Sequence, residues 1–238
     1  MIDRREIKLK AKDLCRNAKP SLITMGMIFT LISIVIGTLS SGVLGRITQQ
    51  DAERFMSYYS SGNVEKAIMI ASKLKPTPTG TLISSLLSVV MWVVNAGFTI
   101  FVINTVRKKE EASYGNILDG FEIAFRVILL NLLEAIVVGL MSCLLFVPGL
   151  IFSYAYRQAL FILIEHPEMS VKECMRESRR MMKGHKWELF VMDLSFLGWY
   201  LLSAIVPVAG IYVTPLTETS YFMYYQELND KDFRDWNV

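Results

Sequence analysis

Histidine and cysteine are scarce in this chain of 238 residues, and that scarcity limits the chemistry it can carry. There are two histidines, His166 and His185, and three cysteines. Neither histidine belongs to a His-Glu-x-x-His or similar ligand pattern, and no Cys-x-x-Cys pair or Gly-rich phosphate loop is found. No candidate nucleophile has a base placed beside it in a recognisable motif. The sequence therefore predicts a protein that is not an enzyme and that holds no metal or cofactor.

Charge is also scarce, while long apolar runs are plentiful. Charged residues make up 20% of the chain, hydrophobic residues 53%, and the mean hydropathy is +0.38. A bilayer core of about 30 Å needs roughly 20 apolar residues of helix. Four stretches satisfy this requirement: 21–44, 82–103, 127–147 and 187–206. Two shorter stretches, 149–165 and 210–226, complete a set of six predicted spans, and Pro215 is the residue expected to interrupt a helix among them.

The distribution of basic residues predicts the orientation. Only five of the 25 Lys and Arg residues lie in the loop 45–81, and most of the others lie on the side that holds both termini. The positive-inside rule then places both termini in the cytoplasm. No cleavable signal peptide is evident, because the first apolar run is too long for one. We expect Cys15, Cys143 and Cys174 to be structural thiols without disulfides.

Three segments of the chain follow one plan, which indicates an internal repeat. Each has an amphipathic stretch, a basic junction, an apolar span, a turn and a returning span. We predict a single membrane domain over 1–238, with repeats at 1–106, 107–167 and 168–238. The fold class is all-α and polytopic: six transmembrane helices form three tandem hairpins, each preceded by a cytoplasmic amphipathic interfacial helix. Ser170 and Glu173 fit a capping box at the third of these amphipathic helices.

The amphipathic helices carry basic residues that could contact anionic lipid headgroups. The alternative is that these helices pack on the bundle as soluble helices do. The headgroup interpretation makes membrane lipids the expected partner, and nucleic acid is not expected. The candidate headgroup contacts are Lys12, Arg16, Lys19, Arg179, Lys183 and Lys186.

The loop 45–81 reads as two short helices, with Asn63 as a candidate N-cap of the second. Val64, Ala67, Ile68, Ala71 and Leu74 are spaced to form one apolar face of that helix. The loop could be a helical lid over the outer face or a surface that binds a partner protein. The sequence leaves both open.

Polar residues inside the spans are the candidate functional site. Asn95, Arg157 and Glu218 fall at equivalent positions of the three returning spans, and Glu134 and Asp193 lie in two outgoing spans. Intramembrane ionisable residues often mark a path for a solute, an ion or a proton. The alternative is that Arg157 and Glu218 form a buried ion pair that only fixes packing. A second set of polar residues follows eight or nine residues later: Asn104, Glu165 and Gln226.

Two strings in the second half of the chain resemble a known family. They are Met-Lys-Gly-His-Lys-Trp at 182–187 and Asp-Leu-Ser-Phe-Leu-Gly-Trp at 193–199. With their surroundings, these strings resemble an uncharacterised bacterial integral membrane family, domain of unknown function nine-seven-five. The family is similar to membrane domains attached to glycerophosphodiester phosphodiesterases, but the catalytic domain has no counterpart here, so no such activity is expected. The resemblance implies a multi-pass protein of the bacterial cell membrane.

Three functions remain open from the sequence. The first is a non-enzymatic accessory or scaffold component in transport, export or envelope maintenance, working with a membrane protein partner. The second is a carrier or channel for a small solute or lipid that uses the intramembrane polar residues. The third is an immunity protein against a membrane-active toxin.

Overall fold

The computed structural model describes residues 4–44, 49–73, 78–107, 112–144 and 146–236. Within these ranges the regular structure is helical, and no β-strand is present. The helices are α1 (Arg4–Asn17), α2 (Leu22–Leu44), α3 (Gln49–Ser60), α4 (Val64–Lys73), α5 (Pro78–Val106), α6 (Asn116–Glu122), α7 (Ala124–Leu144), α8 (Phe146–Tyr156), α9 (Ala159–Glu165), α10 (Val171–Met181), α11 (Lys186–Ile205) and α12 (Gly210–Trp236). A 3₁₀ turn, Pro207–Ala209, precedes α12.

Four of these helices are long and apolar enough to cross a membrane. They contain the segments Leu22–Ser41, Pro78–Val106, Ala124–Cys143 and Lys186–Ile205. These correspond to the four long apolar stretches of the sequence, so that part of the prediction is confirmed. The other two predicted spans do not meet the same criteria within the described residues: α8 and α9 are short, and α12 is long but less apolar. Six spans in three tandem hairpins therefore remain a prediction.

The helices divide into two compact units. The smaller unit is Ile32–Met91 and contains α3 and α4, which pack on each other. The Asn63 side-chain oxygen accepts a hydrogen bond from the Lys66 backbone N–H at 3.3 Å, which confirms Asn63 as the N-cap of α4.

The apolar face predicted for α4 is not buried as a whole. Ala67 is buried, whereas Val64 and Ile68 are exposed. Ala71 and Leu74, the remaining members, lie outside the residues whose side chains are described. Of the three residues of this face whose side chains are described, only Ala67 contributes to the core of the smaller unit.

The larger unit, Met1–Leu31 with Trp92–Val238, buries the apolar faces of α1 and α10 against other helices. Helix α1 packs on α12, and its buried residues are Ile7, Ala11 and Cys15. The buried face of α10, which includes Cys174 and Met175, packs on α8 and α9. Helix α6 differs, because its Leu118 and Phe121 are exposed. Protein contacts thus account for the buried faces of α1 and α10 but not for Leu118 and Phe121 of α6.

Helix α6 lies against α5 at a point where both helices have glycine. A Cβ atom on Gly97 would collide with the Ile117 carbonyl oxygen, and one on Gly120 would collide with the Val93 carbonyl oxygen. The two backbones can approach this closely because neither position has a side chain.

The predicted span 149–165 is interrupted near its middle. Helix α8 ends at Tyr156 and α9 begins at Ala159, so Arg157 and Gln158 form a turn between them. A break of this kind frees backbone groups that must find other partners. The Ser178 hydroxyl of α10 provides them: it accepts from the Gln158 N–H at 3.2 Å and donates to the Ala155 carbonyl at 2.9 Å.

The prediction that Pro215 is the residue that breaks a span was wrong. Pro215 lies inside α12, which continues from Gly210 to Trp236. The break occurs at Arg157–Gln158 instead, where no proline is present. Tertiary contacts, and the Ser178 hydroxyl in particular, stabilise a turn that the local sequence does not predict.

Helix α10 begins with the predicted capping box. The Ser170 N–H donates to the Glu173 carboxylate at 2.8 Å, and the Glu173 N–H donates to the Ser170 hydroxyl at 3.4 Å. These two hydrogen bonds satisfy backbone donors that the helix itself cannot. The capping box is confirmed.

A polar cavity in the larger unit is the candidate functional site

A cavity of about 600 Å³ lies among the helices of the larger unit. Its walls mix leucines with polar side chains. All five residues of the predicted intramembrane polar set line it: Asn95, Glu134, Arg157, Asp193 and Glu218. The structure thus brings together residues that are up to 123 positions apart in the sequence.

Each of the five residues reaches the cavity from a different place in the fold. Asn95 lies on α5, Glu134 on α7, Asp193 on α11 and Glu218 on α12. Arg157 lies in the turn between α8 and α9. Because a turn is not tied to the helical repeat of its neighbours, it can direct the long Arg157 side chain into the cavity.

Asp193 is held by two tyrosine hydroxyls. Tyr154 donates to its Oδ2 at 2.7 Å and Tyr221 donates to its Oδ1 at 2.5 Å. The Tyr200 hydroxyl lies 2.8 Å from that of Tyr221 and extends the network. Both carboxylate oxygens of Asp193 therefore have a hydrogen-bond donor, which is what a charge in a poorly solvated site requires.

Among the described residues, Glu218 has one hydrogen-bond partner. The Thr99 hydroxyl lies 2.9 Å from Glu218 Oε1 and 3.0 Å from the Asn95 carbonyl oxygen. Thr99 is fully buried, so this contact anchors one carboxylate oxygen of Glu218 at the cavity wall. The contact also links two of the predicted residues, Asn95 and Glu218, through a residue that the sequence did not indicate.

Arg157 does not form the ion pair with Glu218 that the sequence left open. Its guanidinium lies over the Tyr221 ring, 4.4 Å from the ring centroid. It forms no ion pair within 4.0 Å and no hydrogen bond with any residue that the structure describes. Its charge nevertheless interacts electrostatically with Glu218 and Asp193. Stacking on a tyrosine face holds the cation in place and leaves its N–H groups available.

Glu134 is a second cavity residue with open hydrogen-bonding capacity. It is partly exposed, and its carboxylate makes no hydrogen bond within the described ranges. Arg157 acts on it electrostatically, without direct pairing. The cavity thus has an unpaired cation and an unpaired anion on its walls.

The second polar set lies partly in a separate cavity of about 770 Å³. Asn104 and Glu165 line it, together with Arg107 and Arg126, whereas Gln226 is not among its lining residues. Arg107 and Glu165 are paired at 2.6 Å. The charges of Arg107 and Glu165 therefore satisfy each other, unlike those of Arg157 and Glu134 in the first cavity.

The candidate headgroup residues lie outside the first cavity. Five of them are exposed and Lys186 is partly buried; the exposed ones are Lys12, Arg16, Lys19, Arg179 and Lys183. The Arg179 guanidinium also lies 5.6 Å from the centre of the Phe152 ring.

Four functional positions were missed by sequence reasoning: Thr99, Tyr154, Ser178 and Tyr221. All are hydroxyl-bearing residues close in sequence to a predicted residue, and for Thr99, Tyr154 and Tyr221 that proximity inside a predicted span was the available signal. Three of them bind a carboxylate of the cavity, and Ser178 stabilises the turn that carries Arg157. No group of three or more His, Cys, Asp or Glu residues within the described ranges is arranged to hold a metal ion.

Fold and site together define a helical, membrane-associated protein with a polar cavity lined by charged residues. Residues 143–232 match the model of a family described as Protein of unknown function (DUF975), which confirms the resemblance seen in the sequence. The match includes the turn at Arg157, the capping box of α10, Asp193 and Glu218. The predicted similarity to glycerophosphodiester phosphodiesterase membrane domains is not confirmed. No curated protein and no solved structure matches the chain.

Proposed function

We propose that this protein is a non-enzymatic membrane carrier whose cavity binds a polar solute or a lipid headgroup. The observation that carries the proposal is the convergence of Asn95, Glu134, Arg157, Asp193 and Glu218 on one cavity. Ligand sites commonly have volumes of roughly 300–1,000 Å³ and combine apolar walls with a few polar groups. This cavity agrees with that description in both size and lining.

Energetics favour a binding role over a purely structural one. A charge inside a membrane protein is costly unless it is paired or lies in a cavity. Both carboxylate oxygens of Asp193 accept a hydrogen bond, but Arg157 and Glu134 have no such partner among the described residues. If these residues served packing alone, a direct pair of the Arg107–Glu165 kind would stabilise them better. Open charges around a cavity are what a ligand site requires.

The proposed arrangement in the membrane has six spans in three tandem hairpins. Helices α2, α5, α7 and α11 are four of the spans; α8 with α9, and α12, are the other two. Both termini are cytoplasmic, in a bacterial cell membrane. The uneven distribution of Lys and Arg supports this orientation.

Basic residues on the proposed cytoplasmic side contact anionic headgroups in this arrangement. Lys12 and Arg16 are exposed on α1, and Arg179 is exposed on α10. Since the apolar faces of these helices are buried in protein, the attraction to the membrane would be electrostatic there. The exposed Leu118 and Phe121 of α6 add an apolar contact.

Native mass spectrometry of protein extracted gently from its own membrane tests the carrier proposal. We expect a small molecule or lipid to stay bound to the wild type and to be lost from Arg157→Ala. The control is Arg176→Ala, which removes an exposed arginine outside the cavity and should leave the bound molecule in place. Retention of the same molecule by Arg157→Ala would contradict the proposal.

An accessory role is the second candidate, and a different observation favours it. Helices α3 and α4 expose several large apolar side chains, which are Met56, Tyr59, Val64 and Ile68. Exposed apolar groups in proximity often mark a protein interface. In the same experiment, a protein that accompanies the wild type and is lost from a Tyr59→Ser, Ile68→Ser double variant, but not from Arg157→Ala, would establish the accessory role.

A further inference from the structure

The chemistry of the cavity walls indicates what kind of molecule the cavity takes. Arg157 supplies a guanidinium whose N–H groups have no acceptor among the described residues. An anion of the phosphate or carboxylate type is the natural partner of such a group, because two parallel hydrogen bonds can form. One end of the ligand is therefore anionic.

The remaining charged residues of the cavity indicate that the ligand also has a cationic end. Each carboxylate oxygen of Asp193 already accepts a hydrogen bond from a tyrosine, Tyr154 or Tyr221, so Asp193 is less available to a ligand than a carboxylate without such partners. Glu134 has no hydrogen-bond partner within the described residues, and Glu218 accepts only from Thr99, through Oε1. These carboxylates have free acceptor positions that only a donor can fill. A cationic N–H donor is the best match, because charge-assisted hydrogen bonds are the strongest.

We infer that the cavity binds a zwitterion that carries a phosphate or carboxylate, which Arg157 binds, and a primary ammonium, which Glu134 and Glu218 bind. The inference rests on the proposed function and deepens it by naming the ligand class. A purely anionic ligand would leave Glu134 and Glu218 facing its charge, and a purely cationic ligand would repel Arg157. A quaternary ammonium would fit the charges but would leave the carboxylate oxygens without N–H donors.

Two sources can supply this chemistry. One is the headgroup of phosphatidylethanolamine, whose acyl chains could pass along the leucines that line the cavity, among them Leu150, Leu194 and Leu197. These three leucines are exposed at the surface of the larger unit. The other source is a free zwitterion such as O-phosphoethanolamine.

Delipidated protein in detergent, titrated with defined probes and read by native mass spectrometry, tests the inference. The lipid probes are phosphatidylethanolamine, phosphatidylglycerol, which lacks the ammonium, and phosphatidylcholine, which lacks its N–H donors; the soluble probe is O-phosphoethanolamine. We expect the wild type to bind phosphatidylethanolamine or O-phosphoethanolamine roughly tenfold or more tightly than the other two lipids, since one or two charged hydrogen bonds distinguish them. Binding of phosphatidylethanolamine alone identifies the lipid source, binding of O-phosphoethanolamine alone identifies a free solute, and both results support the inference.

Three variants assign the two ends of the ligand. Glu134→Gln and Glu218→Gln keep the side-chain shape, and an amide oxygen at 218 can still accept from Thr99, so both variants should fold. We expect each to reduce the preference for phosphatidylethanolamine over phosphatidylglycerol by about tenfold. Arg157→Lys keeps the charge but loses the paired hydrogen bonds, and it should weaken all phosphate-bearing probes alike. Arg176→Ala is the matched control and should bind as the wild type does.

The results separate failure of this inference from failure of the proposed function. Equal binding of phosphatidylglycerol and phosphatidylethanolamine by the wild type would overturn the inference, and so would a preference that survives both carboxylate variants. Absence of binding by every zwitterionic probe would also overturn it. If another class of molecule is then found to be lost from Arg157→Ala, the carrier proposal stands without the zwitterion; if none is, the carrier proposal fails as well.

Discussion

At the scale of the residue, the cavity contains one charged side chain that has hydrogen-bond partners and another that has none among the described residues. Asp193 has two tyrosine donors, whereas Arg157 has an aromatic face and no acceptor among the described residues. Tyr221 contacts both side chains: its hydroxyl donates to Asp193, and its ring stacks on the guanidinium of Arg157. A single residue therefore orders both a carboxylate and a guanidinium while leaving the guanidinium available.

Ser178 is the residue on which the position of Arg157 depends most directly. Ser178→Ala would leave the Gln158 N–H and the Ala155 carbonyl without their buried partner. We expect a loss of about 1–3 kcal/mol in the free energy of unfolding, because unsatisfied buried backbone groups cost this much. Denaturant unfolding followed by circular dichroism measures it.

The control for Ser178 is Ser153→Ala on α8. Ser153 is exposed, and within the described part of the chain its hydroxyl bonds only to the Leu150 carbonyl of its own helix, at 2.8 Å. Its removal should change stability by less than about 0.5 kcal/mol. Equal effects of the two substitutions would show that Ser178 does not stabilise the break in the described way.

At the scale of the element, two short helices are positioned by different devices. Helix α6 depends on contact between backbones at Gly97 and Gly120, and α10 depends on its capping box and buried face. The glycine contact of α6 leaves no room for a side chain. The start and buried face of α10 are sensitive to substitution, whereas its exposed face is not.

Gly120→Ala tests the contact between α5 and α6. The added methyl group would collide with the Val93 carbonyl and with the backbone of Gly97, neither of which can move without shifting a helix. We expect destabilisation of at least about 1–3 kcal/mol, the usual cost of overpacking. Thermal unfolding of the purified protein measures it.

Gly139→Ala on α7 is the matched control for Gly120→Ala. Among the described residues, no atom beyond its chain neighbours and the adjacent backbone of its own helix lies within 4 Å of the position its methyl group would take. Since alanine favours a helix more than glycine does, this variant should be unchanged or slightly more stable. A stable Gly120→Ala variant would mean that α6 does not pack on α5 as described.

The capping box makes the start of α10 sensitive to acid. Hydrogen bonds from the backbone N–H and the side chain of Ser170 hold the pKa of Glu173 below its ordinary value of 4.5. A carboxyl whose folded-state pKa is lowered stabilises the protein above its unfolded pKa and stops doing so as the pH falls through the folded value. The contribution should therefore be present at neutral pH and decline below about pH 4.5.

The comparison of wild type with Glu173→Gln measures this acid sensitivity. Thermal unfolding between pH 7 and pH 3 should show the wild type more stable at neutral pH, with the difference shrinking as Glu173 becomes protonated. Other carboxyls titrate in both proteins and cancel in the difference. A constant difference across the range would indicate that the charge of Glu173 does not contribute.

At the scale of the whole molecule, the membrane arrangement is the property to test. The proposed orientation places the loop 45–81 outside the cell and α10 inside. Ser61→Cys introduces a thiol at an exposed position of the loop, and Lys183→Cys introduces one at an exposed position just after α10. With a membrane-impermeant maleimide, we expect Ser61→Cys to be labelled in intact cells and Lys183→Cys only after permeabilisation. Wild-type protein gives the background from its own cysteines, and the reverse pattern would refute the orientation.

Much of the fold could be predicted because its signals are local. Four apolar helices follow from runs of about 20 apolar residues, and the α10 capping box follows from Ser170 and Glu173 three positions apart. The N-cap at Asn63 is equally local. The five cavity residues could also be selected, because polar side chains in apolar segments are conspicuous.

Tertiary structure decided the rest, for reasons that lie in contacts between distant segments. The break at Arg157–Gln158 is stabilised by Ser178, 20 residues further on, and no proline marks it. Whether Arg157 would pair with Glu218 or remain open depended on Tyr221 and Thr99, which occupy the space around the two charges. Composition and periodicity determine which residues are polar and avoid lipid, and which are apolar and avoid water. Only packing determines which of these residues are in contact, because a contact requires both partners to be brought to the same place.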